Sequence, residues 1–271
     1  MLISILPSSI FYLAIGLSAS FIVLGWQGYK DSPWENFVLK KFLRTLVVGP
    51  MVGVLFFVFS IRWQITASNL GILLLTILII ERLIGETYKG FIRRASHPEY
   101  ERLLIKLKIT ISNPYLKSVF GIASAILLSV VVIGGSIIII QIIQKFYSTV
   151  TIGIIVGLMG GTVSAIGGAL KDSQFEGFKV KKFIRSPIVG IIGGVILIHF
   201  SSQPLFLFLS VIGFERVVVE FYKTFIKRQI RGIFEGQEPT FKIWLRRRWI
   251  FAVLYGIGVA VLISLLIFGN L

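Results

Sequence analysis

The chain has 271 residues, of which 55% are hydrophobic and only 15% are charged, and its net charge is +16. Water-soluble domains carry about a quarter of charged residues, so this composition excludes an ordinary soluble domain and predicts an integral membrane protein. The chain has no cysteine, which excludes disulfides, thiolate metal ligands and a cysteine nucleophile.

Apolar segments recur along the whole chain, and most reach the roughly 20 residues that cross a bilayer as a helix. We count eight of them, at residues 3–26, 43–61, 67–87, 117–142, 149–170, 184–201, 204–224 and 249–269. The sequence therefore predicts an all-α polytopic membrane protein with about eight transmembrane helices.

Basic residues fall almost entirely on one side of these spans. That side holds 26 of the 28 Lys and Arg residues and all 12 acids, in the loops 27–42, 88–116, 171–183 and 225–248 and the span ends beside them. Because Lys and Arg mark cytoplasmic loops, we expect this side in the cytoplasm and both termini outside, in a prokaryotic cytoplasmic membrane. Attraction to anionic headgroups explains the charge, so the expected partners are membrane lipids and not nucleic acid. A homo-oligomer or a larger membrane complex stays open, and no cofactor is indicated.

Two motifs occur twice. KDSPWENFVLKKFLR at 30–44 recurs as KDSQFEGFKVKKFIR at 171–185, an offset of 141 residues, and ERLIGETYKGFIRR from Glu81 recurs as ERVVVEFYKTFIKR from Glu215, an offset of 134. A shorter loop in the second copy would account for the difference. A long-period repeat indicates duplicated structural units, here residues 1–146 and 147–271 with four spans each. Because four is even, we expect a parallel pseudo-two-fold along the membrane normal.

Small residues spaced by four mark several spans. Such spacing lets helix backbones approach closely within a membrane. The equivalent GxxxG pairs and the glycines of the fifth span are therefore expected at helix–helix contacts, with a glycine lining for a substrate or cofactor as the alternative. These residues are Gly49, Gly53, Gly190, Gly194, Gly153, Gly157 and Gly161.

The first motif is a candidate cytoplasmic polar cluster. The spacing from Ser32 to Glu35, S-x-x-E, is typical of a capping box, and it predicts a short interfacial helix that begins at Ser32 in one copy and at Ser173 in the other. The acids either neutralise nearby lysines or attract cations and divalent ions at a cytoplasmic mouth. The candidate residues are Lys30, Asp31 and Glu35, with Lys171, Asp172 and Glu176.

The second motif places acids at the ends of long apolar runs. Ionisable groups at membrane depth are costly and mark functional sites by default. We expect Arg44 and Arg185, at the start of the second span of each copy, as cross-helix partners. The cluster is either an ion-pair network that joins helix ends or a gate or proton-coupled site. Its members are Glu81, Arg82 and Glu86, with Glu215, Arg216 and Glu220.

The function is the least determined feature of the sequence. The chain has no G-x-S-x-G, P-loop, dinucleotide-binding glycine fingerprint or H-E-x-x-H motif, so no catalytic residue is indicated. A duplicated bundle with a charged mouth favours a channel or transporter for a small ion or solute. A lipid-handling protein for phospholipid or polyprenyl phosphate, and a non-catalytic subunit or scaffold, are the alternatives.

Overall fold

The computed structural model describes residues 8–63, 69–88, 114–229, 234 and 238–268. Within these ranges the chain folds into helices joined by short turns, and no strand occurs there. A π-helical turn, Tyr222–Ile226, continues the seventh helix. The helices are α1 Ser8–Glu35, α2 Leu39–Trp63, α3 Leu70–Thr87, α4 Pro114–Ile143, α5 Thr149–Glu176, α6 Val180–Leu197, α7 Pro204–Phe221, α8 Ile243–Arg247 and α9 Trp249–Phe268.

Several helices are long and apolar enough to cross a membrane, which indicates a membrane protein. Among the described residues, four segments qualify by length and composition: Ser9–Glu35, Ile122–Ile143, Thr149–Leu170 and Ile243–Phe268. Helices α3, α6 and α7 have 18 residues each, and each carries three charged residues. Each predicted span thus contains a helix, although composition alone identifies only four spans.

The chain divides into two compact units. Unit 1 comprises Met1–Arg82 and Arg216–Leu271, and unit 2 comprises Leu83–Glu215. Unit 1 therefore holds α1, α2, most of α3, the end of α7, α8 and α9, whereas unit 2 holds α4, α5, α6 and most of α7. These units are defined by contacts and do not coincide with the sequence repeats 1–146 and 147–271, which stay a prediction.

One helix in each unit is buried along much of its apolar length. In unit 1, every residue from Leu70 to Ile79 of α3 is buried. In unit 2, Phe206 to Gly213 of α7 are buried in the same way. A helix that is apolar on all sides belongs in the interior of a bundle, and both helices carry their acids just beyond the buried run.

Helix α1 continues through the first motif, so the predicted interfacial helix beginning at Ser32 is wrong. The motif forms the last turns of α1, and Asn36 follows with φ of 62°. Helix α5 likewise runs through Ser173 to Glu176, and Gly177 follows with φ of 70°. Asn and Gly are the residues that adopt the left-handed conformation after a helix end. The S-x-x-E spacing therefore lies at a C-terminus and does not mark a helix start.

The seven-residue difference between the copies lies in a helix and not in a loop, contrary to expectation. Helix α2 has 25 residues and α6 has 18. The connections to the following helices, residues 64–69 and 198–203, have the same number of residues. Because a turn of α-helix takes about 3.6 residues, the second copy has lost two turns of helix.

Candidate functional site

Two carboxylates lie inside the helical units. Glu215 of α7 is 0% exposed in unit 2, and Glu81 of α3 is 4% exposed in unit 1. Burial of an ionised carboxylate is strongly unfavourable unless hydrogen bonds and charges compensate for it. These two positions are therefore the most demanding polar positions of the described structure.

The hydroxyl of Ser164 supports the carboxylate of Glu215. Ser164 Oγ, from α5, donates a hydrogen bond to Glu215 Oε2. Ser164 is itself buried, at 4% exposure. Two helices of unit 2 thus place a hydroxyl oxygen beside a carboxylate where water is excluded, and such oxygens are the ligands that hard cations and protons use.

The ion pair of Lys30 and Glu220 joins α1 to the end of α7 within unit 1. Lys30 Nζ donates to Glu220 Oε2, and each side chain is 12% exposed. Both residues belong to the predicted clusters, but Lys30 comes from the first motif of one copy and Glu220 from the second motif of the other. The sequence did not predict this pairing, because the partners are 190 residues apart.

Aromatic rings surround this ion pair. The rings of Tyr29 and Phe225 are 4.9 Å apart, and the guanidinium of Arg248 lies 4.6 Å from the Tyr29 ring. The guanidinium of Arg82 lies 5.7 Å from the ring of Trp26, which is only 2% exposed. Rings that face guanidinium groups at this range add cation–π attraction. The end of α1 is therefore packed into unit 1 by its aromatic residues as well as by charge.

The other predicted site residues are half-buried where their side chains are described, and each takes part in an interaction. For Lys171, Asp172 and Glu176 the structure describes the backbone, in the last turns of α5, and the side chains lie outside the description. The pairing of Glu81 with Arg44, and that of Glu215 with Arg185, stays a prediction. The half-buried residues are Asp31, Glu35, Arg44, Arg82, Glu86, Arg185 and Arg216.

A metal centre is not evident in the part of the chain that the structure describes. No group of three or more His, Asp or Glu residues there could hold a metal ion. The described oxygen ligands come as the Ser164–Glu215 pair, which suits transient binding better than a closed metal cage.

Glycine and serine join α1 to α2 in unit 1. A Cβ atom on Gly16 would meet the backbone of Gly49 and would lie 2.8 Å from Pro50 Cα. Ser20 Oγ fills the adjacent position and donates to Thr45 O at 2.8 Å. The two backbones are close enough that any larger side chain at Gly16 would clash.

Glycine alone brings α5 to α6 in unit 2. A Cβ on Gly153 would lie 2.8 Å from Gly194 O, and a Cβ on Gly157 would lie 2.5 Å from Gly190 O. A Cβ on Gly161 would lie 2.5 Å from the carbonyl oxygen next to Pro187. The seam extends over three successive turns of α5, since its glycines are four residues apart.

Comparisons of the chain with protein-family models, with curated proteins and with solved structures find no match. The geometry of the buried polar groups is therefore the basis on which a function can be argued.

Proposed function

We propose that this chain is an integral membrane channel or transporter for a small cation or a cation-coupled solute. The observation that carries the proposal is the complete burial of Glu215 beside Ser164, in a helix that is apolar for the preceding ten residues. Ionisable groups within membrane segments are costly, and they mark ion pathways and proton relays.

A structural role explains this arrangement less well. A hydroxyl stabilises a carboxylate through a hydrogen bond but leaves its charge in place, whereas an apolar side chain of similar size at this position would avoid the desolvation cost. Retaining Glu215 is therefore reasonable if the carboxylate binds and releases a cation or a proton.

The proposed topology has eight spans, with the two polar motifs in the cytoplasm and both termini outside. An 18-residue helix such as α3, α6 or α7 spans about 27 Å at 1.5 Å per residue. This length suits a hydrocarbon core of about 30 Å. The charges of these three helices lie near one end, where they would reach the cytoplasmic interface.

The proposed architecture is a parallel duplication of four spans. The offset of 141 residues relates Gly16 to Gly157 and Gly49 to Gly190, and each of these glycine pairs forms a helix contact within its own unit. The same offset relates Asn36 to Gly177, the two left-handed residues. It also relates two ring pairs that join the ends of successive helices: Phe37 and Phe42 at 5.3 Å, and Phe178 and Phe183 at 5.6 Å.

Cysteine labelling tests the topology, and the cysteine-free chain is its own background. Ser202 is exposed and Lys242 is 76% exposed on its side chain, so access to either is not blocked by packing. In intact cells a membrane-impermeant maleimide should label Ser202→Cys and not Lys242→Cys. Permeabilised cells should label both. Labelling of Lys242→Cys in intact cells would overturn the orientation.

Reconstitution tests the transport activity itself. The purified protein in liposomes should conduct or exchange at least one of Na⁺, K⁺ or H⁺ faster than empty liposomes of the same lipid. A homogeneous, folded particle without flux of any of these ions or of a coupled solute would contradict the proposal. Such a result would favour lipid handling or a scaffold instead.

A further inference from the structure

Unit 1 contains buried hydrogen-bond donors that lack acceptors. Ser32 Oγ, Trp34 Nε1 and Thr224 Oγ1 are inaccessible and have no hydrogen-bond partner within the protein. Ser32 is 2% exposed and Thr224 is 1% exposed. Leaving a buried polar group unsatisfied costs about 1–3 kcal/mol, so three such groups at one end of one unit require an explanation.

These donors lie on two elements that contact each other. Ser32 and Trp34 are in the last turn of α1, and Thr224 is in the π-helical turn after α7. The contact of Tyr29 with Phe225 brings the two elements together. Ser32 lies three residues after Tyr29 and so shares its helix face, while Thr224 directly precedes Phe225. Short π-helical segments occur frequently at functional sites.

The chemistry of the three groups indicates an anionic oxygen ligand. An indole N–H is only a donor, and hydroxyl groups donate readily to charged oxygens. Positive charge is nearby, because Arg248 lies 4.6 Å from the Tyr29 ring and Lys227 lies 5.4 Å from the Tyr222 ring.

The acids of this region limit the charge that the ligand can carry. The carboxylate of Glu220 is neutralised by Lys30. Asp31 and Glu35 lie on the same turns of α1 as Ser32, and their charges favour a monoanion over a dianion. A phosphodiester carries a single negative charge, so it satisfies both requirements.

We propose that Ser32, Trp34 and Thr224 form a binding site in unit 1 for a phosphate group, carried by an anionic phospholipid headgroup or by free phosphate. The site does not depend on the transport proposal. It is also specific to one copy of the duplicated motifs. The offset of 141 places Phe175 opposite Trp34, and the offset of 134 places Gly90 opposite Thr224, so two of the three donors have no counterpart in the other copy.

The test measures the thermal unfolding midpoint of the full chain in a neutral detergent. It is recorded without additions, with inorganic phosphate, with short-chain phosphatidylglycerol and with short-chain diacylglycerol, which lacks the phosphate. We expect phosphatidylglycerol to raise the midpoint by several degrees and diacylglycerol to leave it unchanged, because only ligands that bind the folded state stabilise it. An equal rise with inorganic phosphate would identify free phosphate as a sufficient ligand.

Variants separate a ligand site from a structural polar cluster. The double variant Ser32→Ala/Thr224→Val should unfold at an unchanged or higher midpoint without ligand, since it removes unsatisfied groups, and it should lose the response to phosphatidylglycerol. Thr76→Val is the matched control, because Thr76 is buried but its hydroxyl donates to Ile72 O at 2.9 Å. That control should lower the midpoint and keep the response.

Three outcomes would overturn the site. They are a wild-type midpoint that neither phosphate compound shifts, a full response in the double variant, and a double variant that is destabilised without ligand as strongly as the Thr76 control. If the double variant does not fold, Trp34→Phe replaces it, since it places the residue of the other copy at this position. Trp34→Phe should weaken the response, and an undiminished response would count against the proposal.

Discussion

In unit 1, α1 meets α2 through Gly16 and Ser20, whereas in unit 2 α5 meets α6 through Gly157 and Gly161. The offset of 141 residues relates these positions, so one glycine has a serine as its counterpart. The serine is tolerated because its hydroxyl donates to Thr45 O and so becomes part of the contact. Close approach of two membrane helices thus requires small side chains, and a hydroxyl is small enough where a carbonyl accepts its hydrogen bond.

The two units also differ in how they hold their buried acid. Glu215 accepts a hydrogen bond from Ser164, and the position related to Ser164 in unit 1 is Val23, which is 0% exposed. Glu81, the counterpart of Glu215, therefore cannot receive a bond from that position. Similar backbones can thus surround equivalent acids differently, and the unit with the hydroxyl is the better candidate for reversible binding.

The largest expected effect comes from breaking the ion pair of unit 1. Lys30→Met should lower the free energy of unfolding by about 3–5 kcal/mol, because it leaves Glu220 buried without its cation. Denaturant titration in mixed micelles measures the change. The control Lys30→Met/Glu220→Met should recover most of the loss, and a double variant as unstable as the single one would show that the pair is not the cause.

The same experiment in the other copy extends the comparison. The two offsets relate Lys30 to Lys171 and Glu220 to Glu86. If the duplication is structural, Lys171→Met and Lys171→Met/Glu86→Met should reproduce the loss and the recovery in unit 2. Additive effects of the two changes would show that the second copy does not form the equivalent pair.

Intermediate effects are expected from the glycine seams. Gly190→Ala should destabilise unit 2 by about 1–3 kcal/mol, because overpacking costs this much and the new methyl would lie 2.8 Å from Gly161 Cα. Gly256→Ala in α9 is the control, since a Cβ there meets nothing within 4 Å. Equal stability of the two variants would contradict the close approach.

The smallest expected effect concerns the serine that distinguishes the two seams. Ser20→Ala should cost about 0.5–1.5 kcal/mol through the lost hydrogen bond to Thr45 O. Ser18→Ala is the control, since Ser18 is less buried and its hydroxyl donates to Ala14 O of its own helix at 2.9 Å. A larger loss at Ser18 than at Ser20 would mean that the hydroxyl of Ser20 does not support the seam.

The positions of the helices could be predicted from the sequence, but several helix ends could not. Apolar length placed a helix at each predicted span. The capping-box spacing at Ser32 and Ser173 was misinterpreted because Asn36 and Gly177, the residues that end these helices, were the stronger signal. A left-handed residue after a helical segment is a better guide here than a polar pattern inside it.

The residues of the candidate site were recognised, whereas some of their partners were not. Motif repetition selected Lys30, Glu220 and Glu215. The partners Glu220 for Lys30 and Ser164 for Glu215 depend on which helices are neighbours. Hydrophobic patterns in a membrane protein do not determine this neighbourhood, because the lipid is as apolar as the helix surfaces.

Cation flux through liposomes containing Glu215→Gln tests the central claim most directly. The substitution keeps the shape and the hydrogen bond from Ser164 but removes the charge, and thermal unfolding of the same preparation shows whether the fold is retained. The account predicts a loss of flux of at least about tenfold, equivalent to about 1.4 kcal/mol, with a folded protein. A folded Glu215→Gln protein with the flux of the wild type would contradict the account.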